Sequence, residues 1–203
     1  AIIRILKLRF PDMPFDKWPE VKNMKAFSKW IGETYRDHRE KILHVYDVLD
    51  RSLEIQEAGC HPLIKQALKE KVGMIQPILA NYPTWRMDTF YDPISRTFPW
   101  HQETYHEKFS ENACAVWAPL IPVSPNLPSN TLWIKERGHT YGRLQCGENK
   151  FNIIDPRLEE FPEKGLELNF GDFVVFSNLI PHRSGPIANS NAIRLSLQFR
   201  YDD

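Results

Sequence analysis

The spacing of apolar residues changes once along this chain, near residue 82. Before that point apolar residues recur every three or four positions, which predicts amphipathic helices. The positions are Met24, Phe27, Ile31, Tyr35, Ile42, Val45, Leu49, Leu53, Ile64, Ala67, Leu68, Val72 and Ile75. After it, apolar residues form short or alternating runs between Pro, Gly, Asn and Asp, a pattern typical of strands and turns.

This change predicts an α+β fold in a single domain, residues 1–203, because a chain of this length usually forms one core. We expect residues 1–81 to form a mostly helical layer and residues 82–203 to form a β core. Within that core we predict strands at 84–91, 97–103, 113–121, 131–135, 151–154, 166–169, 173–177 and 192–201. Eight short strands with frequent turn signals indicate a sandwich or a barrel.

Charge and cysteine usage exclude several classes of partner. The chain has 26 Lys and Arg against 26 Asp and Glu, so there is no basic excess to neutralise nucleic-acid phosphates or bind a membrane surface. No run approaches the ~18 apolar residues of a membrane span. Cys60, Cys114 and Cys146 lack disulfide or zinc spacing, which favours free thiols in a reducing compartment. We therefore expect a cytoplasmic protein without a nucleic-acid or membrane partner, while its oligomeric state stays open.

A His and a carboxylate stand two positions apart at His101 and Glu103, in a predicted strand. Side chains at that spacing leave the same face of a strand, so both can reach one metal ion. Such a pair alone is more often a surface ion pair. A second imidazole, His182, ends another predicted strand. Two His and one carboxylate on one face of an octahedron form the ligand set of non-haem iron(II) oxygenases.

An arginine, Arg194, follows His182 by 12 residues and interrupts the apolar alternation of the last predicted strand. On a strand beside the one that carries His182, a planar guanidinium can bind a ligand carboxylate through two parallel hydrogen bonds. An exposed arginine on the outside of a barrel is the alternative. The interrupted alternation favours the inward position.

Four stretches together resemble the phytanoyl-CoA dioxygenase-like family of iron(II)/2-oxoglutarate-dependent oxygenases, over about residues 85–201. They are WHQE at 100–103, SNTLWIKERGH at 129–139, NFGDFVVF at 169–176, and PHRSGP at 181–186 continuing to Arg194 and Arg200. Their order and separations also match the family. The resemblance implies a double-stranded β-helix, or jelly-roll, cupin-like core flanked by helices.

Carried over residue by residue, the resemblance implies that His101, Glu103 and His182 bind iron(II). Most members of the family have Asp at the position of Glu103, so the longer side chain requires a small shift of the strand or the metal. Related halogenases have a small residue there, so Glu103 argues against halogenation.

The resemblance also implies roles in binding the cosubstrate 2-oxoglutarate. Arg194 would bind its distal carboxylate, Ser184 would donate a hydrogen bond to it, and Trp133 would pack beside it. Residues of the substrate side would be Arg86, Asp88, Tyr105, His106 and His139. The stretch at 135–139 lacks the Pro-Gly-Ser that usually precedes its His, which affects the loop on the substrate side.

The implied activity is hydroxylation of a small metabolite or biosynthetic intermediate by O2, coupled to oxidative decarboxylation of 2-oxoglutarate to succinate and CO2. Two alternatives stay open. One is a non-catalytic small-molecule-binding β-helix domain that has lost turnover. The other is a cupin-type metal-dependent isomerase, which would not need Arg194.

Overall fold

The computed structural model describes residues 2–80, 83–91, 98–105, 109–148 and 152–203. These residues form a mixed fold, in which a layer of helices precedes two antiparallel sheets. The helices are α1 (Ile2–Arg9), α2 (Met24–Asp37), α3 (Arg39–Asp50), α4 (Leu53–Gly59) and α5 (Pro62–Ala67). The strands are β1 (Ile78–Leu79), β2 (Thr84–Thr89), β3 (Cys114–Pro119), β4 (Leu132–Lys135), β5 (Glu163–Gly165), β6 (Val174–Ser177), β7 (His182–Ser184) and β8 (Ile193–Asp202).

Local sequence signals explain where the later helices begin and end. The hydroxyl of Ser52 accepts a hydrogen bond from the Ile55 amide and caps α4, and Pro62 occupies the first turn of α5. Helix α5 continues into a wider turn that stops at Gly73, whose φ of 86° suits glycine. Within the described ranges, no helix has the length and apolar character needed to cross a membrane.

The long strand β8 organises the larger sheet. It pairs with β1 and β2 along one edge and with β3 along the other, and β3 pairs in turn with β6. Leu195, Leu197 and Phe199 belong to the core shared with the helical layer. Because side chains alternate along a strand, Arg194 and Arg200 project from the opposite face. That face looks toward the smaller sheet and carries the polar residues of interest.

The smaller sheet has the order β5-β4-β7. In its register Leu132 lies opposite Ser184, and Ile134 lies opposite His182. The segment that carries His101 extends this sheet beyond β7, since His101 and His182 form an isolated antiparallel bridge. The two sheets therefore face each other across the polar side of β8.

The structure confirms the mixed helical and antiparallel character and five of the expected strands within a few residues. Three expectations are wrong. Within 97–103 the described residues, 98–103, form one bridge, at His101, and Glu103 starts a 3-10 turn (Glu103–Tyr105). Around 151–154 the described residues form one bridge, between Cys146 and Ile153. Near 166–169 Leu168 forms a bridge with Val123, and the strand itself is Glu163–Gly165, which pairs with β4. All three cysteines are free thiols, as expected.

Candidate metal and cosubstrate site

Three buried side chains from two chain segments converge between the sheets. His101 and His182 face each other because their backbones exchange hydrogen bonds, His101 N to His182 O at 3.0 Å and the reverse at 2.9 Å. Glu103 enters from the turn that follows, where its amide donates to the carbonyl of Asn178. One potential ligand atom from each of the three residues lies within 4.8 Å of the others. The group could therefore hold one metal ion.

The hydrogen bonds of the two imidazoles orient their lone pairs. Nδ1 of His101 lies 2.8 Å from the Pro99 carbonyl, and Nδ1 of His182 lies 2.9 Å from the Ile180 carbonyl. A carbonyl only accepts, so each Nδ1 carries a proton, and in a neutral ring this leaves the Nε2 lone pair free for a metal. Burial, and next the neighbouring His182, lower the pKa of His101 to about 3. The neutral imidazole that a metal requires is thus the stable form at ordinary pH.

The carboxylate of Glu103 is held on one side by an arginine and faces the imidazoles on the other. Arg200 donates from Nε to Oε2 at 2.6 Å and from Nη2 to Oε1 at 3.2 Å. Oε1 lies 3.4 Å from Nε2 of His182 and 3.9 Å from Nε2 of His101. Burial raises the pKa of Glu103, but the Arg200 guanidinium outweighs it and holds the pKa well below its usual value. Glu103 is therefore an anionic donor, and the set of two imidazoles and one carboxylate suits iron(II).

A cavity of about 30 Å³ lies beside these three residues. Its walls include the aromatic rings of Phe98, Trp117 and Phe176 and the polar side chains of Arg86, Ser184, Gln198 and Arg200. One water molecule needs about 10–15 Å³ of such space, so the cavity has room for about two waters, and a larger ligand requires side chains to move. The cavity thus combines metal-binding donors, apolar walls and cationic groups.

Next to the cavity, a buried carboxylate pairs with two arginines. Asp88 accepts from Nε of Arg86 at 2.7 Å and from Nε and Nη2 of Arg194 at 3.0 and 2.7 Å. Nη1 of Arg194 points to the carbonyls of Ser129, Thr131 and Gly185, at 3.2, 3.3 and 2.8 Å. Burial raises the pKa of Asp88, yet both guanidiniums together bring it below its usual value. Arg194 faces inward as expected, but Asp88 and backbone carbonyls already occupy its guanidinium.

The residues expected to bind cosubstrate and substrate separate in the structure. Ser184 and Arg86 line the cavity, whereas the part of the lining that the structure describes includes neither Arg194 nor Trp133. Trp133 follows Leu132, which lines the cavity, so alternation turns the indole to the other face of β4, where it donates to Asn130 at 2.9 Å. The packing of Trp133 beside the cosubstrate therefore stays a prediction that the cavity lining does not support.

The remaining substrate-side candidates lie away from the metal-binding group or cannot be placed. His139 is exposed and lines a separate cavity with residues of β6. Tyr105 ends the 3-10 turn that starts at Glu103, and His106 lies outside the described residues. Asp88 is buried in the arginine cluster described above. Of the five candidates, only Arg86 therefore contacts the cavity among the described residues.

Three further residues contribute to the site without having been assigned a role from sequence. Arg200 binds Glu103. The sequence indicates an inward position for Arg200, because it lies on the same face of the last strand as Arg194. Gln102 ties the segment to the loop at 142–144, since its amide donates to the Gly142 carbonyl and accepts from the Leu144 amide. Ser196 is buried, and its hydroxyl has no hydrogen-bond partner among the described residues. Nothing in the sequence marks these last two.

The fold is similar to that of several non-heme enzymes of known structure. One is the alpha ketoglutarate dependent epimerase SnoN from nogalamycin biosynthesis, solved in complex with Fe3+, alpha ketoglutarate and nogalamycin RO. In that complex it matches 78% of this chain and 62% of its own, with a TM-score of 0.64 and 16% identity. The alpha ketoglutarate dependent carbocyclase SnoK matches 75% of this chain and 60% of its own, with a TM-score of 0.59 and 16% identity. The non-heme monooxygenase ThoJ matches 70% and 52%, with a TM-score of 0.55 and 20% identity.

At these identities the likeness shows a shared fold and nothing further about the chemistry of this chain. The chain spans about 60% of the length of the epimerase. No protein-family model matches it, and no curated protein does. The metal-binding group nevertheless occurs in a fold that a neighbour uses to bind iron and alpha-ketoglutarate.

Proposed function

We propose that this chain is an iron(II)/2-oxoglutarate-dependent oxygenase with a double-stranded β-helix core, related to the phytanoyl-CoA dioxygenase-like family. The observation that carries this proposal is the buried group of His101, Glu103 and His182, whose Nε2 lone pairs and Oε1 approach one another beside a cavity. When bound there, iron(II) would supply the oxidation by O2 that is coupled to decarboxylation of 2-oxoglutarate.

The chain's own residues suit an anionic cosubstrate. Around the cavity the described side chains include three guanidiniums, those of Arg86, Arg194 and Arg200, and two carboxylates, those of Asp88 and Glu103. The surroundings are therefore cationic even before a metal ion is added, which favours a dicarboxylate. The small present volume means that such a ligand would have to displace side chains.

We assign the distal carboxylate of 2-oxoglutarate to the region of Arg194 and Ser184. Arg194 donates to the carbonyl of Gly185, so its guanidinium lies directly behind Ser184, which lines the cavity. The unpartnered hydroxyl of Ser196 lies two residues from Arg194 on the same strand face and would gain an acceptor. In this assignment the ligand carboxylate either shares the Arg194 guanidinium with Asp88 or displaces the Asp88 carboxylate from it.

Hydroxylation of a small metabolite is the outcome we propose for the reaction. The fold neighbours are an epimerase, a carbocyclase and a monooxygenase, so the fold accommodates several outcomes. Apolar walls around the donor set would exclude water and hold a carbon–hydrogen bond near the metal. The substrate would approach along the side lined by Arg86 and Phe98.

Anaerobic titration of the protein with iron(II) and then 2-oxoglutarate tests this proposal. We expect a weak visible charge-transfer band from the chelate and, once O2 is admitted, formation of succinate. Glu103→Ala should abolish both signals, whereas His44→Ala, which changes an exposed histidine of α3, should leave them intact. A wild-type protein without the band would favour the non-catalytic binding domain.

A further inference from the structure

The most unusual contact of the site is the double hydrogen bond between Arg200 and Glu103. It divides the two carboxylate oxygens. Oε2 makes the shorter bond to Arg200, at 2.6 Å, while Oε1 accepts the longer one, at 3.2 Å, and also faces Nε2 of His182 and of His101. We propose that Arg200 is a positioning residue that presents Oε1 to the metal and thereby makes glutamate, rather than aspartate, the length that this site requires. The inference rests on the metal-binding role of Glu103 proposed above.

Both ends of this contact are anchored in the backbone. Arg200 lies in the long strand β8, is 7% exposed, and pairs across the sheet with Ala115 of β3. Ala115 also lines the cavity, and its small side chain leaves room for the guanidinium. At the other end, the Glu103 amide is bonded to the Asn178 carbonyl at 3.0 Å. Neither end can move freely, so the distance that the side chain of residue 103 must span is set by the fold.

Aspartate is one methylene shorter, and a carbon–carbon bond is about 1.5 Å long. A carboxylate withdrawn by that length could stay on the Arg200 fork or reach toward the imidazoles, but it could not do both. Most members of the resembled family have Asp at this position, so substitution by Asp would ordinarily be the conservative change. Here we expect it to be harmful, and only while Arg200 is present.

The simpler reading is that Arg200 merely neutralises a buried charge. In that case its loss would act on the protein whether residue 103 is Glu or Asp, and the two substitutions would have independent effects on metal binding. The positioning role instead predicts that they are coupled. A double-mutant cycle separates the two readings because it measures only the coupling.

The experiment measures the Kd for Co(II) without 2-oxoglutarate, by anaerobic titration followed through visible absorption. Four proteins are compared: wild type, Glu103→Asp, Arg200→Gln and the double variant. With Arg200 present, Glu103→Asp should weaken binding at least about tenfold, as loss of a ligand's support commonly does. In the Arg200→Gln background the same change should raise the Kd for Co(II) at most about threefold, because the shorter carboxylate is no longer held away from the imidazoles. A ratio of the two penalties of threefold or more supports the proposal, and a smaller ratio overturns it.

Arg194→Lys is the matched control, since Arg194 lies on the same face of β8 and is also buried but binds Asp88. In that background Glu103→Asp should still raise the Kd for Co(II) as much as it does in the wild type. The same coupling there would show a general effect of losing a buried guanidinium and would overturn the proposal. If circular dichroism shows that Arg200→Gln is unfolded, Arg200→Lys replaces it under the same criterion. A wild type that binds no Co(II) overturns the metal site and the proposed function, whereas normal binding with a small ratio overturns the positioning role alone.

Discussion

Replacing Arg194 by Ala should lower both the stability of the fold and the affinity for the cosubstrate, and the contacts of Arg194 indicate the size of each effect. The guanidinium is 2% exposed, makes two hydrogen bonds to Asp88, and donates to three backbone carbonyls. Its loss leaves Asp88 paired with Arg86 and removes a donor from each carbonyl. Breaking one side of a buried ion pair costs about 3–5 kcal/mol.

The expected change in melting temperature follows from that cost. For a domain of 150–250 residues, each kcal/mol shifts Tm by roughly 2–4 °C, so Arg194→Ala should lower Tm by about 6–20 °C. Arg194→Lys should recover part of the loss, because it keeps the charge but not the planar fork. Thermal unfolding followed by tryptophan fluorescence measures the wild type and both variants.

Cosubstrate binding is then measured by calorimetry on iron(II)-loaded protein, well below the lowest Tm of the series. Arg194→Ala should raise the Kd for 2-oxoglutarate at least about tenfold, equivalent to ~1.4 kcal/mol. Iron binding itself should change little, since Arg194 contacts none of the three metal-binding residues. Equal 2-oxoglutarate affinities would refute the assignment of the distal carboxylate to Arg194, and a Tm within 2 °C of wild type would refute the ion-pair argument.

Three further results are expected. Asp88 has a lowered pKa in the folded state, so its contribution to stability is present above its unfolded pKa of about 3.9 and is lost as pH falls through the folded value. Asp88→Asn should therefore reduce the loss of unfolding free energy between pH 5 and pH 2, measured by urea titration. Zinc should bind the imidazole and carboxylate donors, yet zinc-loaded protein should form no succinate. Succinate formation as fast as with iron would contradict the oxygenase assignment. Burial, with a smaller effect of Asp202, raises the pKa of Cys114 to about 12, so alkylation of the native protein should modify exposed Cys60 and reach Cys114 only after unfolding.

The positions of the metal-binding candidates were readable from sequence because they depend on short-range patterns. The two-residue spacing of His101 and Glu103, the second imidazole at His182, and the alternation around Arg194 are all visible in the chain. The change from helical to strand periodicity near residue 82 likewise predicted the helical layer and the β core. The periodicity and the alternation lie within single elements, where residue spacing determines which side chains share a face. His101 and Glu103 converge although Glu103 lies in a 3-10 turn and not in the expected strand.

The partners of those side chains were decided by tertiary structure alone. Arg194 meets Asp88 across 106 residues through the antiparallel register of β8 with β2. Arg200 meets Glu103 across 97 residues because the Glu103 amide is bonded to the Asn178 carbonyl, just after β6. In β4, Trp133 turns away from the cavity although its sequence neighbour Leu132 lines it. A shift of one residue in strand pairing would exchange the two faces of a strand while leaving its sequence pattern unchanged. Local sequence thus determined which residues carry the chemistry, and strand register decided which of them touch.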